Sequence, residues 1–123
     1  MGKKVHDDVI DAALDTTALA NAIHINTAEP ADRAAAISDS LGTVALTPGD
    51  GNGDFTIANG DTSGRKVTIA EQSGTASASG TATHISLIDG TRLLLVTTCT
   101  SQAITSGNPF TIGSFKQEIA DPT

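Results

Sequence analysis

TATHISLIDGTRLLLVTT, residues 81–98, is the stretch on which the fold is read. Two runs rich in apolar and β-branched residues, 81–88 and 91–98, flank the dipeptide Asp89-Gly90, a pairing favoured in two-residue hairpin turns. A type I′ turn there sets Ile88 against Thr91, Leu87 against Arg92, Ile85 against Leu94 and His84 against Leu95. On that register Thr83, Ile85, Leu87, Leu94 and Val96 share a core face. The opposite face keeps Ile88, Leu93 and Leu95, so it too needs cover, from a helix or from another subunit.

Working outward, the same vocabulary repeats. Residues 19–26, 43–47, 54–58 and 65–71 read as strands, with residues 54–58 and 65–71 joined into a hairpin by the tight loop 59–64. The run 48–54, PGDGNGD, is a strong loop signal, because glycine and asparagine tolerate positive φ. Residues 72–80 are a Ser/Gly/Ala/Thr stretch, either a flexible loop or a weak edge strand. Residues 102–104 and 110–119 look like further strands, with a bulge expected at Gly113-Ser114 where the alternation changes phase. Helix is expected in two places. Residues 5–14 carry Val5, Val9, Ala12 and Ala13 at three- and four-residue steps among aspartates, and the alanine-rich residues 31–40 suggest a short second helix. A helix as short as the first is marginal alone and must dock on its own domain or on a neighbouring chain. The expected fold is therefore mainly β: a small antiparallel β-sandwich or jelly-roll-like barrel of six to eight short strands with a short N-terminal helix. Residues 1–18 form the helical segment and residues 19–123 a single β-sandwich domain.

Composition narrows the function. The chain has 123 residues, 38% of them hydrophobic, which suits one core. With three Phe and neither Trp nor Tyr, burial rests on Ile, Leu and Val, and a core that thin leans toward association. The formal net charge of −7 and the scattering of basic residues disfavour nucleic acid, which needs a basic patch. No stretch has the length of a membrane span, and the start carries no secretion signal. Cys99 is the only cysteine and cannot form an internal bridge.

Sites of chemistry are weakly signalled. Asp50, Asn52 and Asp54 resemble the opening of a calcium loop, but the sixth position is Phe55 where that loop needs glycine, and the twelfth is Asp61 rather than glutamate. His6, His24 and His84 lie on different elements, so a metal centre is not expected. A Cys99–His84 nucleophile pair is conceivable only if the hairpin joins them, and the expected register puts Leu95 opposite His84. Gly64-Arg65-Lys66 reads as a solvated loop exit or, less blandly, as a contact for an acidic surface. No nucleophile elbow, phosphate loop or dinucleotide fingerprint occurs. The expectation is a protein that is not an enzyme and uses no cofactor. A small metal-dependent hydrolase using Asp50, Asp54, Asp61 or Cys99 is the alternative from another class.

Several strings taken together resemble a family of small virion proteins of tailed bacteriophages: KKVHDDVIDAAL (3–14), DFTIANGD (54–61), GRKVTI (64–69), SGTATHI (79–85), VTTCTSQ (96–102) and EIADPT (118–123). The likeness covers both ends and most of the second half, and is poorest over residues 15–50. It implies a structural role in the particle, as a decoration or cement protein on the capsid exterior, with a tail- or fibre-associated role as the alternative. The expected partners are the chain itself, as homodimer or homotrimer, and the major capsid protein, with neither nucleic acid nor membrane. Synthesis would be in the cytoplasm of the bacterial host. Candidate contact residues are Lys3, Lys4, His6, Val9, Asp50, Asn52 and Asp54, together with the stretch 73–80, because ends and loops reach partners most easily.

Overall fold

In a computed structural model, which describes residues 4–122, strand outnumbers helix 47% to 14%. The protein is therefore mainly β, with several antiparallel sheets and one short N-terminal helix, consistent with a small β-sandwich. Nine strands occur among the described residues, above the six to eight expected, and every ladder between them is antiparallel. The chain divides into two compact units, each assembled from separate stretches.

The first unit comprises residues 1–19, 47–71 and 113–123. It holds helix α1 (Asp7–Thr17), followed in this unit by strands that pair across the chain's two ends. The expected hairpin is present: one strand, Phe55–Asn59, pairs with another, Arg65–Ile69, setting Ile57 opposite Val67. The second of these also pairs with the last strand, Phe115–Ile119, with Val67 opposite Gln117. The loop between the hairpin strands needs glycine at position 64, where φ is +67° and a Cβ would collide with the Ile119 carbonyl. Phe55, Val67 and Ile69 are fully buried, and α1 lays Ile10 and Leu14 into the same core. Burying one such aliphatic side chain contributes about 1.5–3 kcal/mol.

The buried face of α1 differs from the one expected. Ile10, Leu14 and Thr17, at i, i+4 and i+7, face inward, while Val9 is 64% exposed. The helix turned on its two largest apolar side chains rather than on the more numerous alanines, because area removed from water sets the docking face. It also runs through Thr16 and Thr17, where a break was expected.

The second unit comprises residues 20–46 and 72–112. Numbering all strands in chain order, its members are β1 (Ala22–Asn26), β2 (Ser40–Ala45), β5 (Gln72–Thr75), β6 (Gly80–Ile88), β7 (Leu93–Ile104) and β8 (Pro109–Ile112); the first unit holds β3, β4 and β9. A four-stranded sheet has the order β2-β1-β6-β7, and β5 pairs with β8. Helix α2 (Arg33–Ser38) is capped by Asp32, whose carboxylate accepts the Ala35 N–H at 2.8 Å. The core is built from Ile23, Ile25, Leu41, Leu87, Ile88, Phe110 and Ile112. Two buried polar groups satisfy each other within it: Ser86 Oγ donates to Asn26 Oδ1 at 2.6 Å, and Asn26 Nδ2 donates to the Ala36 carbonyl at 2.8 Å.

The hairpin read first has a different turn and register. Neither Asp89 nor Gly90 has positive φ, which a type I′ turn demands at both positions. Instead the Asp89 carboxylate accepts the N–H groups of Thr91 and Arg92 at 2.9 and 2.6 Å, holding a longer loop closed by an Asp89 N–H to Arg92 carbonyl bond of 3.0 Å. Leu93 therefore faces Ile88, Leu95 faces Leu87, Thr97 faces Ile85 and Thr98 faces His84. Relative to the expected pairing, β7 is displaced by three residues over most of its length, and an odd slip exchanges its faces. Leu95 thus joins Leu87 and Ile85, while Val96 crosses to the side of Ser86. Leu94 and Val96, expected in the core, are only half-buried, as are Leu93 and Leu95.

The phase change at Gly113-Ser114 is not a bulge within one strand. β8 belongs to one unit and β9 to the other, so the glycine marks where the chain leaves one sheet for another. Residues 102–104, expected as a separate strand, instead complete β7.

Candidate interaction surfaces

Lys3 lies outside the described residues. Lys4 and His6 are exposed, and with Val5 and Asp7 they line a shallow hollow. His6 is the N-cap of α1; its Nδ1 accepts the Asp8 N–H at 3.1 Å, satisfying one of the free amides of the first turn. The segment is tied down by Val5 N–H donating to Asp121 Oδ1 at 3.2 Å and by Thr17 Oγ1 donating to Gln117 Oε1 at 2.8 Å. The helix is thus docked within its own unit, leaving Val9 as its outward apolar side chain.

In residues 48–54, Gly49, Gly51 and Gly53 all take positive φ, as the loop reading requires. The polar side chains turn back on the chain. Asp50 Oδ1 accepts the Ile57 N–H at 2.8 Å, Asp54 Oδ2 accepts the Thr47 N–H at 2.7 Å, and Asn52 Nδ2 donates to the Pro48 carbonyl at 2.8 Å. These carboxylates hold the loop's shape. Among the described residues no group of three His, Cys, Asp or Glu side chains is placed to hold a metal ion.

The basic pair of the loop exit is engaged internally. Arg65 grips Asp11 of α1 through Nε at 2.8 Å and Nη2 at 3.3 Å, and donates to Asn59 at 2.8 Å. The hydrogen bond to Asp11 raises the Arg65 pKa above its ordinary value, and the charges of Asp11, Asp7 and Asp50 add to it. Lys66 pairs with Asp61 at 2.6 Å, and Lys116 pairs with the other oxygen of the same carboxylate. Glu118 accepts the N–H groups of Asp61 and Thr62, so the acidic side chains near this loop are bonded to their own unit.

The stretch 73–80 is stitched into the second unit as an edge strand and turn. Ser77 N–H donates to the Leu41 carbonyl at 2.8 Å, and Ser79 Oγ accepts the Ser106 N–H at 2.9 Å. His24, by contrast, is buried. Its Nδ1 lies 2.8 Å from Ser40 Oγ and its Nε2 3.5 Å from Thr43 Oγ1. Because Ser40 Oγ donates its proton to the Gly42 carbonyl, Nδ1 is the donor to Ser40 and the ring is neutral. Burial, aided by the charge of Arg33, lowers the His24 pKa below 6.5.

His84 Nδ1 is 2.8 Å from Thr83 Oγ1, and the residue paired with it is Thr98 rather than Leu95. A shallow hollow beside them is lined by Glu29, His84, Val96, Thr97 and Thr98. Burial raises the Cys99 thiol above its ordinary pKa, which keeps it protonated and a poor nucleophile.

The surface feature that loop-based reasoning missed is β7. It is the edge strand of its sheet, and Leu93, Leu94, Leu95 and Val96 are consecutive and half-exposed. The signal was present in the sequence as an apolar run on both faces of the hairpin. Comparison of the chain with protein-family models, with curated proteins and with solved structures yields no match in any of the three.

Proposed function

We propose that this protein is a structural component of a tailed-bacteriophage virion, a capsid decoration or cement protein that self-associates and binds across junctions between capsid subunits. The resemblance of its terminal and second-half segments to small phage virion proteins motivates the identity. The observation that carries the adhesive role is the half-exposed run Leu93, Leu94, Leu95 and Val96 on a sheet edge, apolar surface of the kind that favours association with protein. Modest contacts of this kind gain strength when repeated many times over one shell. The loop carboxylates Asp50 and Asp54, bonded to their own backbone, fit a scaffold role.

Electron microscopy of particles labelled through this chain tests the proposal. Copies distributed over the shell are the expected result. A few copies at one vertex would place the protein with the tail or fibres instead, and absence from particles would end the virion reading altogether.

A further inference from the structure

β7 is hydrogen-bonded to β6 along one side, and among the described residues no strand pairs with its other side. Open edges in soluble proteins are normally kept short or guarded by lysine, proline or inward charges. β7 spans 12 residues, LLLVTTCTSQAI, with no charged residue and no proline. Its one interruption is a register shift between the pairs Ala82↔Gln102 and His84↔Thr98, which places extra residues at 99–101 of β7. That bulge guards the C-terminal part of the edge. It leaves residues 93–98 as a regular open run about 20 Å long, the length of an ordinary strand.

We propose that this open edge is where two copies of the chain join, antiparallel about a twofold axis, turning two four-stranded sheets into one continuous sheet. The inference rests on the self-association in the function proposed above and names its surface. Charge favours a second copy as the occupant. The chain carries a formal net charge of −7, so copies repel over much of their surface, yet a β7–β7 seam sets no carboxylate of the strand against another. Symmetry is satisfied as well. An antiparallel ladder opposes residues whose amides point the same way, so a twofold axis passes through a residue. Placed at Val96, it sets Leu95 against Thr97 and Leu94 against Thr98 of the second copy. The half-exposed leucines are then covered by threonine methyls, and the backbone groups of the open side find partners.

Sedimentation velocity of the full chain and two edge variants provides the test. Val96→Lys puts two ammonium groups side by side on the axis. Thr98→Lys charges an exposed position and so leaves the folded monomer intact even if the first substitution disturbs it. The wild-type chain is expected to be dimeric, and the variants, with unchanged far-ultraviolet circular dichroism, to dissociate with a Kd raised about tenfold or more. In a Cys99→Ser background, Val96→Cys is expected to give an oxidised dimer stable in denaturant. Variants as dimeric as the wild type, or a wild-type trimer, would overturn the twofold β7 seam while leaving self-association standing. A monomeric wild-type chain would overturn both.

Discussion

The ring of Phe110 lies against the backbone of Gly42, so close that a methyl group on Gly42 would stand 2.5 Å from Phe110 Cε1. Gly74 bounds the same ring at 3.0 Å, so the aromatic side chain fills a slot that two glycines on β2 and β5 leave open. Gly42→Ala is expected to destabilise the protein by about 1–3 kcal/mol through overpacking. Phe110→Leu in the same chain should recover part of that loss, giving a non-additive double-mutant cycle in urea denaturation.

Asn26 and Ser86 form a closed polar pair in the core of the second unit. Removing the amide in Asn26→Ala strands the Ala36 carbonyl and the Ser86 hydroxyl, at about 1–3 kcal/mol for each group left unpaired. Ser86→Ala added to it should cost less than it does alone. Equilibrium unfolding of the four chains measures the coupling.

Arg65 and Asp11 join the hairpin strand β4 to α1. Asp11→Ala is expected to loosen the helix, seen as faster amide hydrogen exchange across α1 than in the wild type. Equal exchange in the two proteins would show that the apolar docking of Ile10 and Leu14 suffices by itself.

The buried, neutral His24 makes stability depend on pH. Its folded-state pKa lies below 6.5, so the unfolded chain takes up the proton first as pH falls. Stability is therefore level above pH 6.5 and declines below it until the folded-state pKa has been passed. His24→Gln should flatten this slope, checked by urea midpoints from about pH 7 to about pH 5.

Asp89 acts at the acid end. Hydrogen bonds from the Thr91 N–H and the Arg92 side chain hold its carboxyl at about 2, against an ordinary 3.8. A depressed carboxylate stabilises the fold above its unfolded pKa and loses that effect as pH falls from about 3.8 toward 2. Asp89→Asn should remove this acid-limb dependence, measured by thermal melts across the same range.

The hairpin of residues 54–69, the glycine loop 48–54 and the short alanine-rich helix were legible because each depends on neighbours in the chain. Alternation at period two, glycine at positive φ and a capping aspartate are local causes with local effects. The β6–β7 pairing was misread because Asp89 satisfies loop amides with its side chain, and that competition between turn types is not encoded in the Asp-Gly pair. The adhesive candidates were misplaced for a related reason. Asp50, Asn52 and Asp54 look available as a sequence but are bonded to their own backbone, whereas the apolar edge at Leu93–Val96 emerges only once the strand order leaves β7 outermost.

The sequence by itself determined the mainly β class, the position of most strands and the absence of an internal disulfide, since period, turn chemistry and a single cysteine require no knowledge of distant residues. The tertiary structure alone decided the register of β7, the face on which α1 is buried and the division of residues 109–119 between two units. Each of those is a choice among alternatives of similar local energy, settled by which arrangement buries the larger side chains and pairs the most backbone.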